Sequence, residues 1–265
     1  MPVPLGAPLL VFLHEGLGSV SMWRDFPQRL CEAVGLRGLV YSRPGYGRST
    51  ARPEDEKWPV TFMHHQAHDV LPAVLDVSGI DTADEPVWLF GHSDGGSIAL
   101  LHAARSGASV AGCIVLAPHL FVEDLSVDSI ARAREAYRLT DLRDRLARHH
   151  QDVDSAFWGW NDIWLDPAFR QWNIERDITG IGCPTLAIQG LDDEYGTLAQ
   201  IEEIESRIYS PLDVEILEVP IDSQRIISPL EGDLRRIDGR VVHNRSVLFA
   251  NRVSDGGCGG RGIHG

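Results

Sequence analysis

Ser93 is the residue on which chemistry can be built. It stands in Gly91-His92-Ser93-Asp94-Gly95, directly after the apolar run Val87–Phe90 and directly before a helical stretch at Gly96–Arg105. Small residues two places before and two after a serine let the backbone turn sharply between strand and helix, which lifts the hydroxyl above the carboxyl edge of a sheet. The helix N-terminus there favours developing negative charge. These features suit attack on an acyl carbon with a covalent acyl intermediate. The plain alternative is a glycine-rich turn holding an ordinary serine.

Acyl transfer also needs two preorganised N–H donors for the tetrahedral oxyanion. The amide of Asp94, next after the serine, is one. The second is expected in Leu13-His14-Glu15-Gly16-Leu17-Gly18-Ser19, at Gly16 with Leu17 as the near alternative, and His14 reads as a brace of that loop. An acid that orients an imidazole is expected in Gly190-Leu191-Asp192-Asp193-Glu194. Asp193, three residues past the glycine, is preferred to Asp192; the alternative is a solvated acidic turn that caps the next helix.

These residues need a scaffold that brings strand ends together. Apolar runs of strand length recur at Leu9–Leu13, Gly38–Tyr41, Val87–Phe90, Val110–Ala117, Thr185–Ile188 and Val214–Val219, with amphipathic stretches near 22–35, 62–77, 95–106 and 197–209 between them. Continuous apolar strands imply burial on both faces, and the alternation predicts an α/β class with a parallel sheet and helices on both sides. Residues 121–180 break the rhythm: they hold Trp158, Trp160, Trp164 and Trp172 and no strand signal. A helical lid over the sheet edge is expected there, set into a core formed by residues 1–120 and 181–243; a helical subdomain whose tryptophans only pack is the alternative. Phe157, Trp158, Trp160 and Trp164 either line an acyl or aromatic pocket or simply pack.

In this order the motifs HEGLGS, SRPGYGRS, GHSDGG and GLDDEYGT resemble those of α/β-hydrolase-fold serine hydrolases, over residues 9 to about 220. Glu15 stands where that family usually has glycine. The resemblance implies a mostly parallel sheet of about six strands, with the usual N-terminal antiparallel pair missing, and hydrolysis of a small carboxylic ester or related acyl compound. Ser93 would attack, Gly16 and Asp94 would hold the oxyanion, and Asp193 would orient a base. A serine at position 93 argues against the branches that use aspartate there. Cleavage of a carbon–carbon bond in a ring-cleavage product by the same residues is the alternative activity. A catalytically silent homologue or ligand-binding module is the alternative class.

The silent reading arises because the family's histidine follows the last strand, and Pro220-Ile221-Asp222-Ser223-Gln224-Arg225 contains none. After Asp193 come only His243 and His264, of which His243 is the stronger candidate base. Without an imidazole the hydroxyl is a poor nucleophile at neutral pH. Residues 221–265 carry seven arginines against five acidic residues and eight of the 26 glycines, as GC-rich DNA read out of frame would give; Ser228-Pro229-Leu230-Glu231 still predicts a helix over 228–241, with disorder from 244. Elsewhere His64 and His68, at helical spacing, read as helix surface rather than metal ligands. His149 and His150 read as solvated, and His92 as structural.

Composition narrows the partners. The 265 residues carry 24 basic and 38 acidic side chains, a net charge of −14, which disfavours nucleic acid and anionic membrane surfaces and leaves a small-molecule substrate. The scattered Cys31, Cys113, Cys183 and Cys258 suggest neither a disulfide framework nor a structural metal, and fit reduced thiols in a cytoplasm. No cofactor is implied. The expectation is a soluble, unexported monomer or homodimer.

Overall fold

A computed structural model describes residues 6–53 and 55–218. Its six strands are β1 (Leu9–Leu13), β2 (Arg37–Val40), β3 (Val87–His92), β4 (Val110–Leu116), β5 (Thr185–Gly190) and β6 (Leu212–Leu217). All pair in parallel, in the order β2-β1-β3-β4-β5-β6. This is the expected α/β sheet, the α/β-hydrolase fold. The register sets Phe12 beside Phe90, Phe90 beside Ile114 and Ile114 beside Leu186, so one apolar row crosses the four central strands.

Because successive strand residues point to opposite faces, the sheet divides two cores. Val11, Leu13, Leu89, Val115 and Ala187 belong to one, with Ile98 and Leu101 of α4 (Asp94–Ser106). Leu10, Phe12, Phe90, Ile114 and Ile188 belong to the other, with Phe26 and Leu30 of α1 (Phe26–Val34). Phe12, Trp23, Phe26 and Phe90 interlock there at centroid distances of 5.3–6.2 Å. Burying each such ring contributes about 1.5–3 kcal/mol. The expectation of burial on both faces fails at β6, where Asp213, Glu215 and Ile216 are exposed at the sheet edge. It fails also at β2, the other edge of the described sheet, where no residue is fully buried.

The stretch near 62–77 is not one regular helix. It runs as α2 (Phe62–His65), a π turn (Gln66–Val70) and α3 (Leu71–Val77). Pro72 lies in the first turn of α3 and has no N–H to give the preceding turn, so the ladder widens there and restarts. After β5, α8 (Ala199–Arg207) occupies the expected place. Between β4 and β5 come α5 (Asp124–Leu139), α6 (Leu142–Leu146) and α7 (Val153–Trp164), with one isolated bridge from Phe121 to Asn173. The Asp152 side chain accepts the Ser155 amide and so caps the start of α7. The helix expected over 228–241, His243, His264 and the tail from 244 lie outside the described residues.

One topological fact positions the site. β1 connects outward to β2 on one side while β3 connects to β4 on the other, so the chain diverges from neighbouring strand ends between β1 and β3. A crevice opens at such a switch point, at the carboxyl edge, where the loops holding Gly16 and Ser93 emerge.

Candidate active site

Between the end of β3 at His92 and the start of α4 at Asp94 stands Ser93 alone, with φ 52° and ψ −120°. Such a conformation costs a non-glycine residue about 1–3 kcal/mol and is held only by its surroundings. The surroundings are backbone. The Ser93 amide donates to Leu116 O at 2.8 Å, and the Gly96 amide donates to Ser93 O at 2.8 Å. A Cβ at Gly91 would fall 2.2 Å from Gly95 O, and one at Gly95 would fall 2.0 Å from Leu13 O. Strand, helix and the end of β1 thus close on one another only because both positions are glycine. Ser93 itself is partly exposed.

The Gly95 contact sets the loop after β1 beside the first turn of α4. The Gly18 amide donates to Glu15 O at 3.0 Å, leaving Gly16 and Leu17 at the tip. His14 is fully buried and braces the loop as expected: its Nδ1 lies 2.7 Å from Glu15 O, and its Nε2 accepts the Arg43 amide at 3.0 Å. Burial holds the His14 imidazole well below its ordinary pKa, with the Arg43 charge adding to the effect. Arg43, from the turn after β2, donates Nη2 to Glu15 O at 2.8 Å. Over Gly16 sits the edge of an indole, since a Cβ there would fall 2.2 Å from Trp160 Nε1 of α7.

Asp94 is sealed from water. Its Oδ1 accepts Trp164 Nε1 at 3.2 Å and its Oδ2 lies 3.8 Å from Arg43 Nη2. Burial pushes the carboxyl up to about 6, although Arg43 and the Trp164 N–H both pull it down. At 3.8 Å the guanidinium is too far for a close charge-assisted bond, so desolvation wins.

Asp193 is half-buried and Asp192 exposed, so of the two aspartates after β5 it is Asp193 that turns inward. Its Oδ1 accepts the amides of Tyr195 at 2.7 Å and Gly196 at 3.2 Å. Burial raises its pKa, and the two amides and the His92 charge lower it. Among the described residues no imidazole is hydrogen-bonded to it. His92 faces Glu15, with Nδ1 3.8 Å from Oε2.

The imidazole beside the serine is one that sequence reasoning missed. His119 follows β4, and its Nε2 lies 3.4 Å from Ser93 Oγ. The signal was its place two residues past a predicted strand end, at the same edge as the serine. Burial lowers its pKa to about 4, with Glu123 raising it and His92 lowering it. His150 corrects a second expectation: it is buried rather than solvated, with Nδ1 accepting the Gly47 amide at 2.9 Å and Nε2 2.9 Å from Leu17 O. It ties the chain before α7 to the loop after β1. His149 is half-buried, its Nδ1 2.9 Å from Ser21 Oγ.

The four aromatics of α7 divide. Phe157 stacks on Tyr137 with centroids 3.7 Å apart, and Trp158 lies under the Arg138 guanidinium, so these two pack. Trp160 and Trp164 reach the site, Trp164 by its bond to Asp94 and by an edge contact with the His119 ring at 4.9 Å. Two surface cavities, of about 510 and 590 Å³, border Pro72 with His102 and Arg48 with Asp152 respectively, away from Ser93. Among the described residues no group of three or more His, Cys, Asp or Glu side chains could hold a metal ion, and no helix is long and apolar enough to cross a membrane.

The sequence model of the alpha/beta hydrolase family matches residues 10–217. Human monoglyceride lipase is 34% identical over 116 residues, which are 43% of this chain and 37% of that protein. The 2-succinyl-6-hydroxy-2,4-cyclohexadiene-1-carboxylate synthase of Salmonella paratyphi A is 29% identical over 160 residues, 60% of this chain and 56% of that one. The alignments thus span between about a third and just over half of these curated relatives. A hydrolase from Pseudomonas aeruginosa PA01 has the same fold, with a TM-score of 0.67 at 16% identity over 90% of this chain and 92% of that one.

Proposed function

The chain belongs to the alpha/beta hydrolase family, and from that premise we propose that it hydrolyses a small carboxylic ester or related acyl compound with Ser93 as nucleophile. The observation that carries the reading is the backbone of Ser93, held at φ 52° by contacts that leave the residue partly exposed at the carboxyl edge. Ser93 Oγ attacks the acyl carbon. The amides of Gly16 and Asp94 receive the oxyanion, Asp94 from the N-terminus of α4 and Gly16 from the adjacent loop. Asp193, half-buried after β5, is the acid proposed to orient the base. Water then releases the acyl group, so the chemistry calls for no cofactor and no metal.

Residues 121–180 serve as a lid in this reading, with Trp160 over Gly16 and Trp164 bonded to Asp94. Closing indoles over the oxyanion site excludes water and strengthens every electrostatic contact inside. The substrate is a small molecule, and the protein acts as a monomer or homodimer. The test is a panel of p-nitrophenyl esters of short and medium acids together with glycerol monoesters, assayed with the wild-type chain and Ser93→Ala. The wild type should turn over at least one of them, and Ser93→Ala should lose that turnover by a factor of about 10⁴ or more. Equal turnover by the variant, or none by a folded wild type, refutes the reading.

A further inference from the structure

We propose that His119, from the loop after β4, is the general base that takes the proton of Ser93; the proposal rests on the reading of Ser93 as nucleophile. Four observations carry it. His119 Nε2 lies 3.4 Å from Ser93 Oγ, within the looser reach of a catalytic pair without substrate. His119 is 3% exposed, and its Nδ1 has no hydrogen-bond partner among the described residues. An orphaned ring nitrogen in a dry site is costly and asks for a reason. The His119 peptide is gripped from both ends by one hydroxyl: Ser97 Oγ donates to His119 O at 2.6 Å and accepts the His119 amide at 3.0 Å. Ser97 sits one helical turn after Ser93 on α4, so the same helix presents the nucleophile and pins the imidazole.

The fourth observation is strain. Among the described residues three that are not glycine have positive φ: Arg24, Ser93 and Ala117. One of the three is the serine of this pair, and another, Ala117, stands two residues before His119. Ala117, at φ 46°, bends the chain off the end of β4, and Pro118 then packs over Gly96, where a Cβ would fall 3.1 Å from the proline ring. That bend carries His119 back over the first turn of α4. Strain of this size persists only where the fold over-determines it, and such residues gather at functional sites.

The step balances. As the bond from Oγ to the acyl carbon forms, the Oγ proton passes to Nε2 and the carbonyl π pair moves onto oxygen. Collapse of that adduct expels the leaving alkoxide, which takes the proton from Nε2. Water then attacks the acyl-enzyme, gives its proton to Nε2, and the acid departs as Ser93 recovers that proton. Nδ1 keeps its hydrogen throughout, since only that tautomer leaves Nε2 free to accept. The groups facing the ring are Glu123 at the start of α5, His92 of β3 and the Trp164 edge. Glu123 is itself held by the Thr197 amide at 3.0 Å, the Thr197 hydroxyl at 2.6 Å and Gln200 Nε2 at 2.7 Å. It is the carboxylate placed to favour the imidazolium as it forms.

The test follows covalent labelling of Ser93 by a fluorophosphonate, read as the rate of mass gain across pH. The full-length wild type, His119→Ala, His119→Gln and Ser93→Ala are compared, with and without added imidazole. The expected result is labelling slowed about 100-fold or more in His119→Ala, partly restored by free imidazole, with Ser93→Ala unlabelled. In the wild type the rate should hold down to an acid limb near pH 4, where burial places the His119 titration. His119→Ala labelled at the wild-type rate, beside an unlabelled Ser93→Ala, overturns the role of His119 and leaves the serine reading standing. A folded wild type that takes no label overturns both. If neither His119 variant folds, Ser97→Ala, which frees the His119 peptide from α4, decides: slowed labelling with a shifted acid limb supports the proposal, and a rate and pH profile equal to the wild type overturn it.

Discussion

Asp94 and Arg43 are both sealed from water, yet they stand 3.8 Å apart rather than in a close bidentate pair. Burial therefore outweighs attraction, and the Asp94 carboxyl titrates near 6. The sign of its linkage follows. A carboxyl raised above its unfolded value favours the protonated form in the fold, so its contribution to stability is full below about pH 4 and is lost as pH rises through about 6. An amide in place of this carboxyl would have no such proton to lose and could still accept the Trp164 N–H. Relative to the wild type, Asp94→Asn should therefore gain up to about 3 kcal/mol between pH 4 and pH 8, a figure set by the shift from 3.8 to about 6. Denaturant unfolding of both chains across that range checks it; parallel pH curves contradict it. Of the site residues, Ser93 was legible in the sequence because the glycines and the strand-to-helix switch that shape it lie within five positions. His119 was not, because its partner is 26 residues away and meets it only through the pairing of β3 with β4 and the grip of Ser97.

At the scale of elements, two glycines hold the site together in different ways. A methyl at Gly16 meets the indole of Trp160, a side chain of α7, whereas a methyl at Gly95 meets the carbonyl of Leu13, which is backbone of β1. Gly16→Ala should cost about 1–3 kcal/mol in the wild type and almost nothing in a Trp160→Ala background, because the obstructing ring is then gone. Gly95→Ala should cost more than either, and Trp160→Ala should not relieve it. A double-mutant cycle on thermal unfolding separates the two; equal coupling to Trp160 at both glycines would refute the assignment of contacts. Element types were legible throughout the sheet because each buried strand is a continuous apolar run. The break of the 62–77 helix at its π turn and the half-exposed face of β6 were not, since one depends on how Pro72 meets the turn before it and the other on position within the sheet.

For the whole molecule the governing number is a net charge of −14, with Lys57 the only lysine. A field of that sign repels anionic substrates at distances comparable with the Debye length of about 10 Å at 0.1 M salt. The kcat/KM for an aryl ester bearing a carboxylate should rise as salt is raised from about 0.01 M to about 0.3 M, while that for the neutral ester of equal size stays flat. A fall for the anionic ester would mean that a local positive potential, to which the Arg43 guanidinium beside Asp94 contributes, dominates the global field. Cys31, Cys113 and Cys183 are free and buried, and burial raises the pKa of all three thiols, so none is poised as a reactive thiolate.

What the sequence determined by itself is everything that short-range rules dictate: the α/β class from apolar periodicity, the turn at Ser93 from glycine spacing, and the loops at the ends of β1 and β5 from their place after strands. What only the tertiary structure decided is which side chains meet. The indole over Gly16, the sealed Arg43–Asp94 pair and the imidazole at Ser93 each join elements far apart in the chain, and packing of sheet against helix, not local propensity, sets those distances. Spacing along a chain reports the order in which residues arrive, and the close-packed interior settles which of them touch.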